Sequence, residues 1–331
     1  MTVDASTVGL HYFVKNSAIR IFTDQLYDAA GIPTREPPES SLPVLQGTDR
    51  LRRQIPRLVD SLAQEYDSIV VPSYIMLANV NPTDYPDTTI IPVIHDLYKY
   101  FDPSHSRLAR FNASHAVRNA QRCTSVIANS ATTKTVLQHT LYAEHRSRIT
   151  AVPPGVDTDV FHDTDDQPQS VDTVDYLLYV GSFNPRKNPK FLVNVLAAAD
   201  IDCSLVLAGN YYSDEYRDEV LQHAVERGVR DRITHVGRVS EDELRRLYSN
   251  AAAYLYPAIR DGYGMTPVEA AACGTPPILH QSVPAVDDLG DAAATYTDFD
   301  AATVADVVAD VSGKRFDYSP RTWQDAAAEF L

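Results

Sequence analysis

The stretch Asp261-Gly262-Tyr263-Gly264-Met265-Thr266-Pro267-Val268-Glu269 places two carboxylates around a pair of glycines, and it runs on to a second break at Gly274. A short helix starting after the glycines would point free backbone N–H groups, and the positive end of its dipole, outward. A diphosphate would sit there. Asp261 lies before the helix and Glu269 within it, so one carboxylate can face the mouth of a cleft while the other accepts hydrogen bonds from a bound group. A second candidate is Gly181-Ser182-Phe183-Asn184-Pro185-Arg186-Lys187-Asn188. Two adjacent cations at the end of a strand can offset the charge of a phosphate leaving group without a metal. His95-Asp96 also stands directly after an apolar, β-branched run.

These residues need a scaffold, and the sequence supplies a repeating one. Period-two and short apolar runs predict strands at 8–14, 67–72, 88–94, 125–129 and 148–152. Helical spacing predicts helices at 17–30, 51–65, 107–123 and 130–141, the last with Ser130 as its N-cap. Pro153-Pro154-Gly155 and an acidic run break the pattern, which predicts an interdomain linker over 156–170. The alternation then resumes, with strands at 176–180, 204–208, 233–236, 253–256 and 277–280. Helices are expected at 188–199, 213–227, 241–249 and 304–311, and the chain ends in one over 320–331. The expected fold class is α/β, with two Rossmann-like doubly wound parallel-sheet domains facing across a cleft. Residues 1–155 would form one domain and 171–317 the other, with the C-terminal helix, within 318–331, packing back on the first. Ligands of such folds bind outside the carboxyl ends of the strands.

Composition narrows the function classes. A net charge of −15 argues against a basic face for nucleic acid. The charge comes from 33 Asp against 11 Glu, and 23 Arg against 6 Lys. That bias resembles proteins of salt-loving organisms, because at molar salt a Debye length of roughly 3 Å screens the self-repulsion. Three cysteines in unrelated segments suggest neither disulfides nor a thiolate metal site. No window approaches the roughly 18 apolar residues of a membrane helix, and residues 1–8 lack a signal-peptide pattern, so a cytoplasmic protein is expected. The Asp-x-Asp triplets at 157–159, 163–165 and 298–300 fall in the linker and a late loop, and read as solvated surface. No Gly-x4-Gly-Lys-Ser/Thr loop occurs, and Gly262-x-Gly264 lacks the third glycine of a dinucleotide fingerprint.

Residues 181–188, then Gly237-Arg238-Val239-Ser240, then residues 261–275 resemble the donor domain of the retaining family-four glycosyltransferases, which have the GT-B fold. His95-Asp96, Asn129-Ser130-Ala131-Thr132-Thr133-Lys134 and Pro153-Pro154-Gly155-Val156-Asp157 match segments of the same family in order. The resemblance is good over residues 88–331 and loose over 1–87. It implies a nucleotide diphosphate sugar, UDP- or GDP-linked, as donor substrate, with no further cofactor and no metal. Arg186 and Lys187 would hold the diphosphate as it leaves, and Glu269 would accept the ribose hydroxyls. Asp261 would stand by the donor sugar, in the first place of the family's Glu-x7-Glu motif. Backbone groups of Gly262, Tyr263, Gly264, Met265 and Thr266 would meet sugar and phosphate, and Gly237, Arg238 and Val239 would border the base. His95 would approach the reacting carbon or the sugar hydroxyls from the acceptor domain.

The chain departs from that pattern twice. Asp261 stands where most relatives have Glu, which withdraws the carboxylate by one C–C bond, and Lys15-Asn16-Ser17-Ala18 replaces a common glycine pair. The resemblance implies transfer of a hexose to a hydroxyl acceptor, a glycan or a lipid-linked saccharide, by front-face attack assisted by the leaving phosphate. A peripheral contact with the inner membrane face would engage Arg107, Arg110, Arg118 and Arg122. Two rivals share the fold: a sugar-nucleotide epimerase, and a non-catalytic sugar-nucleotide binder left by loss of the first Glu.

Overall fold

The computed structural model describes residues 6–13, 17–37, 53–101, 106–142, 149–172, 175–199 and 202–331. The chain folds as two compact units, Met1–Gly155 with Arg321–Leu331, and Val156–Pro320.

The first unit is built on six parallel strands in the order β2-β1-β3-β4-β5-β6. They are β1 (Thr7–Leu10), β2 (Thr34–Arg35), β3 (Ser68–Val71), β4 (Thr89–Ile94), β5 (Val126–Ala128) and β6 (Ile149–Ala151). The apolar, β-branched runs of β1, β3, β4 and β5 are buried on both faces, as a parallel sheet covered by crossover helices requires. The first strand stops at Leu10, short of the expected 14, because its neighbour β2 is only two residues long and offers pairing no further than Arg35. Ser17 caps the Ala18–Ala29 helix by accepting from the Arg20 N–H at 3.2 Å, while residues 15 and 16 of that turn lie outside the described residues. Pro56 sits in the first turn of the Ile55–Leu62 helix, which ends short of the expected 65, while residues 51 and 52 of the expected helix lie outside the described residues.

A 3-10 segment, Tyr74–Asn79, was not legible from periodicity. It packs under the Arg107–Ala120 helix, where Asn119 donates to the Leu77 carbonyl at 2.7 Å. The Trp323–Phe330 helix belongs to this unit. Thr322 and Asp325 close a capping box at its start, Trp323 meets the Phe22 ring edge-on at 5.7 Å, and Phe330 is fully buried. Gly155 makes that docking possible, because a Cβ there would lie 2.3 Å from the Thr322 and Trp323 backbone.

The second unit carries another six parallel strands, ordered β12-β11-β10-β7-β8-β9. They are β7 (Tyr176–Val180), β8 (Ser204–Ala208), β9 (Ile233–Gly237), β10 (Ala253–Tyr256), β11 (Pro277–His280) and β12 (Ala294–Tyr296). The edge strand β12 was not expected from the sequence. The chain reverses its direction of travel across the sheet between β7 and β10, so their carboxyl ends flank the topological switch point.

The acidic stretch after Gly155 is fastened to this unit rather than running free as a linker would. Asp163 pairs with Arg315, Asn250 donates to the Asp166 carbonyl at 2.9 Å, and the Gln169 and Ser170 N–H groups each donate to Glu243 Oε1 at 2.7 Å. Two of the three Asp-x-Asp triplets also hold local structure: Asp157 accepts from the Asp159 N–H, and Asp300 caps the Ala301–Val311 helix. Among the described residues, no cluster of acidic, His and Cys side chains could hold a metal ion, and no helix is long and apolar enough to cross a membrane.

Candidate active site

The Arg186–Lys187 turn and the loop bearing Asp261 leave the sheet at β7 and β10, the two strands of the switch point, and their side chains meet. Asn188 makes this geometry. It adopts left-handed backbone (φ 53), which Asn tolerates, and so ends the Pro185–Lys187 turn and starts the Pro189–Ala198 helix within one residue. The Ile259 N–H donates to the Arg186 carbonyl at 3.1 Å and ties the two loops by their backbones.

Lys187 Nζ and the Tyr256 hydroxyl both donate to Asp261 Oδ2. Lys187 also donates to the Tyr256 oxygen at 2.5 Å and lies 4.7 Å from the centre of that ring. The Gly262 N–H donates to Oδ1 at 2.8 Å, and the Arg186 guanidinium stands 3.7 Å from the same oxygen while donating to the Arg260 carbonyl at 2.8 Å. The Lys187 and Asp261 side chains are 13% and 18% exposed. Burial by itself would raise the Asp261 carboxyl, but the charge and hydrogen bond of Lys187, the Tyr256 hydroxyl and the charge of Arg186 bring it down to about 2. Asp261 is therefore a fixed anion, and the two cations expected to meet a diphosphate are held beside it.

Glu269 sits on the Met265–Ala272 helix, which begins at Gly264. Gly264 has φ +103 and a Cβ there would lie 2.9 Å from Val283 Cγ1, so glycine alone suits this start. Burial raises the Glu269 carboxyl to about 7, against a lowering by the hydrogen bond from Tyr248 and with a small rise from Glu241. Tyr254 donates to Thr266 Oγ1 at 2.7 Å. The Tyr263 side chain turns away to Asp288, donating at 2.6 Å, so that residue offers the site its backbone only. Met265 packs against the core.

Gly237 ends β9 and accepts from the Gly209 N–H at 2.7 Å. A Cβ on Gly209 would lie 1.9 Å from the Gly181 carbonyl, so the loops after β7, β8 and β9 touch backbone to backbone. Arg238 is exposed and Val239 partly buried.

The site residues that sequence reasoning missed are tyrosines. Tyr254 and Tyr256 share one face of β10, with ring centres 6.2 Å apart, and Tyr248 stands 5.7 Å from Tyr254. The Tyr248 hydroxyl bonds Glu269, that of Tyr254 bonds Thr266 and that of Tyr256 bonds Asp261. The available signal was that a tyrosine on a buried strand must find a partner for its hydroxyl.

His95, in the first unit, follows β4. Its Nε2 lies 3.1 Å from the Pro72 carbonyl, so the ring donates there, and the Phe22 ring meets it edge-on at 5.0 Å. Burial lowers the imidazole to about 4, against a rise from the Asp96 charge. The ring is therefore neutral near pH 7. On the same unit an open cavity of about 610 Å³ is lined by Tyr100, Phe101, Arg107, Arg110, Phe111 and Ser114. Arg118 does not line it, and Arg122 is turned to Asn81 and Asn119.

Comparison with known proteins gives this arrangement relatives. Residues 29% identical over 187 positions, 56% of this chain and 50% of the relative, match O-antigen chain mannosyltransferase RfbU of Salmonella typhimurium. O-antigen chain mannosyltransferase B of Escherichia coli is 33% identical over 35% of this chain and 31% of its own length. D-inositol 3-phosphate glycosyltransferase of Mycolicibacterium smegmatis is 32% identical over 41% of this chain and 33% of its own. The chain thus spans a half or less of the length of these three curated relatives. Among solved structures, Anabaena HepE in complex with UDP and glucose superposes with a TM-score of 0.73 at 16% identity, covering 93% of this chain and 89% of that one. WaaG, a glycosyltransferase involved in lipopolysaccharide biosynthesis, gives 0.68 at 14%, covering 92% and 90%. Both likenesses show the GT-B fold. Residues 18–160 match the family model for glycosyltransferase family 4 and residues 161–310 that for glycosyl transferases group 1. The two matches abut, and together they span residues 18–310 of the chain.

Proposed function

We propose that the chain is a retaining, metal-independent glycosyltransferase that moves a hexose from a UDP- or GDP-sugar to a hydroxyl acceptor, a glycan or a lipid-linked saccharide. The observation that carries this reading is the convergence of Lys187, Arg186 and Asp261 at the switch point of the group 1 segment, beside the start of the Met265–Ala272 helix. A diphosphate arriving there meets two side-chain cations and the backbone N–H groups of a helix start. As the bond to the sugar breaks, the charge that develops on the leaving phosphate falls on Lys187 and Arg186, which need no proton transfer to stabilise it. Glu269, ionised, accepts the ribose hydroxyls, and the neutral His95 offers a hydrogen bond rather than a charge. The relatives' names point the same way: they are hexosyl and related transferases, and HepE carries UDP and glucose.

The acceptor side of the reading rests on the first unit. Arg107 and Arg110 beside three aromatic rings suit an anionic, partly apolar partner, so a lipid-linked acceptor at a membrane surface fits better there than a nucleic acid. The Asp-rich, Lys-poor composition fits work at high salt.

The test is a panel of UDP- and GDP-hexoses, assayed for donor hydrolysis and for transfer. One donor should turn over, and Lys187→Ala and Glu269→Ala should each lower the rate. Donor binding without hydrolysis or transfer, unchanged in Asp261→Glu, would make the protein a non-catalytic sugar-nucleotide binder instead.

A further inference from the structure

Asp261 raises a problem that its neighbours answer. A side chain one methylene shorter than glutamate reaches less far, and a misplacement of about 1 Å at a reacting centre can cost on the order of 10²-fold in rate. Asp261 nonetheless accepts hydrogen bonds on both of its oxygens. Oδ1 takes the Gly262 N–H at 2.8 Å, and Oδ2 takes both the Tyr256 hydroxyl and Lys187 Nζ. The Tyr256 oxygen is bonded twice, donating to Asp261 and accepting from Lys187 at 2.5 Å. Its ring is pinned on both sides, stacked 6.4 Å from Tyr179 and 6.2 Å from Tyr254, and the residue is only 2% exposed. A hydroxyl held so rigidly can fix whatever it bonds.

We propose that Tyr256 is the positioning residue of this site: its hydroxyl sets the Asp261 carboxylate and the Lys187 ammonium at a fixed separation, and so makes an aspartate serve at this position. The proposal rests on the transferase reading given above. When a diphosphate draws Lys187 toward itself, Tyr256 remains as the donor that keeps Asp261 in place. Without the hydroxyl, Oδ2 is left with its bond to Lys187, and the two move together. Glutamate at 261 would drive its carboxylate into the space the Tyr256 hydroxyl occupies, so hydroxyl and side-chain length are alternatives.

Tyr256→Phe, Asp261→Glu and the double variant test this. Tyr256→Phe should lower kcat for the donor that the wild type uses by about 10–100-fold, leaving the Kd of the matching nucleoside diphosphate within about twofold. Asp261→Glu should also lose turnover, and the double variant should be more active than Asp261→Glu alone, an outcome that a merely structural tyrosine would not give. Unchanged kcat in Tyr256→Phe, or losses that simply multiply in the double variant, would overturn the proposal. The pairing is also read without substrate. Thermal unfolding of Tyr256→Phe, Asp261→Asn and their combination should show losses of about 2–4 °C or more that are not additive. Should the wild type neither bind UDP or GDP nor turn over any sugar nucleotide, the transferase reading fails, whereas additive thermal losses would refute the Tyr256–Asp261 coupling whatever the protein binds.

Discussion

The Tyr248 hydroxyl, on the Glu241–Asn250 helix, donates to Glu269 Oε2 at 2.9 Å. That single bond does not make Glu269 an easy anion, because burial outweighs it and holds the carboxyl near 7. Two consequences of opposite sign follow. The fold prefers the protonated form, so this residue's contribution to stability is complete below its ordinary 4.5 and is lost as pH rises through about 7. Ribose hydroxyls prefer the ionised form as acceptor, so nucleotide affinity should fall on acidification below about pH 7, approaching tenfold per pH unit. Titration calorimetry of UDP and GDP in buffers of different ionisation enthalpy should show a proton released on binding at pH 6. Glu269→Gln should bind more weakly with no such release, yet melt higher than the wild type at pH 8.

Lys187 and Asp261 form a largely buried ion pair, and removing one partner strands the other. Lys187→Ala should cost roughly 3 kcal/mol in urea unfolding at pH 7, while Lys187→Ala combined with Asp261→Asn should cost less. The wild-type contribution of Asp261 is present above its ordinary 3.8 and is lost as pH falls toward about 2. In Lys187→Ala the carboxyl rises, so the deficit against the wild type should shrink as pH falls from 7 toward 4. Arg186→Ala should cost under about 1 kcal/mol, because that side chain is 30% exposed and stands 3.7 Å from Asp261.

His95 should stay neutral across the working range. Its folded value of about 4 lies below its ordinary 6.5, so its contribution to stability is present above pH 6.5 and is lost as pH falls through about 4. The His95 ring resonances should not titrate between pH 5 and 8. An acid limb of the pH–rate profile near 6.5 that disappears in His95→Gln would contradict this.

Much of this site was legible in the sequence because its parts obey local rules. The glycine-flanked helix start, the cations at the end of β7 and the repeating strand–helix pattern each follow from backbone preferences that residue type encodes. The tyrosines were not legible, because which carboxylate a buried hydroxyl meets depends on how β10 lies beside β7 and on the turn after it. Nothing in the order Tyr254-Leu255-Tyr256 sets one hydroxyl on Thr266 and the next on Asp261. The 3-10 segment Tyr74–Asn79 escaped for a related reason: its residues from Tyr74 to Ala78 are all buried, which leaves no polar face to mark a period. The acidic stretch after Gly155 misled because composition reports solvation, whereas Arg315 and Glu243, more than seventy residues onward, decide where it is held.

Gly264 and Gly290 allow the helix start itself to be tested. Both have positive φ, +103 and +51, so alanine strains the backbone at either position, by about 1–3 kcal/mol. They differ in surroundings: a Cβ at Gly290 meets nothing within 4 Å, whereas one at Gly264 would lie 2.9 Å from Val283 Cγ1 and 3.4 Å from Ala285 Cβ. Relief at Gly264 requires the start of the Met265–Ala272 helix or the 283–285 loop to shift, and that helix start offers the backbone N–H groups a diphosphate needs. Both variants should therefore unfold at lower urea, but only Gly264→Ala should weaken UDP or GDP binding, by at least about tenfold, a loss of about 1.4 kcal/mol. Equal loss of nucleotide affinity in the two variants would mean that the effect comes from general destabilisation of the second unit, and that the helix start is not where the diphosphate sits.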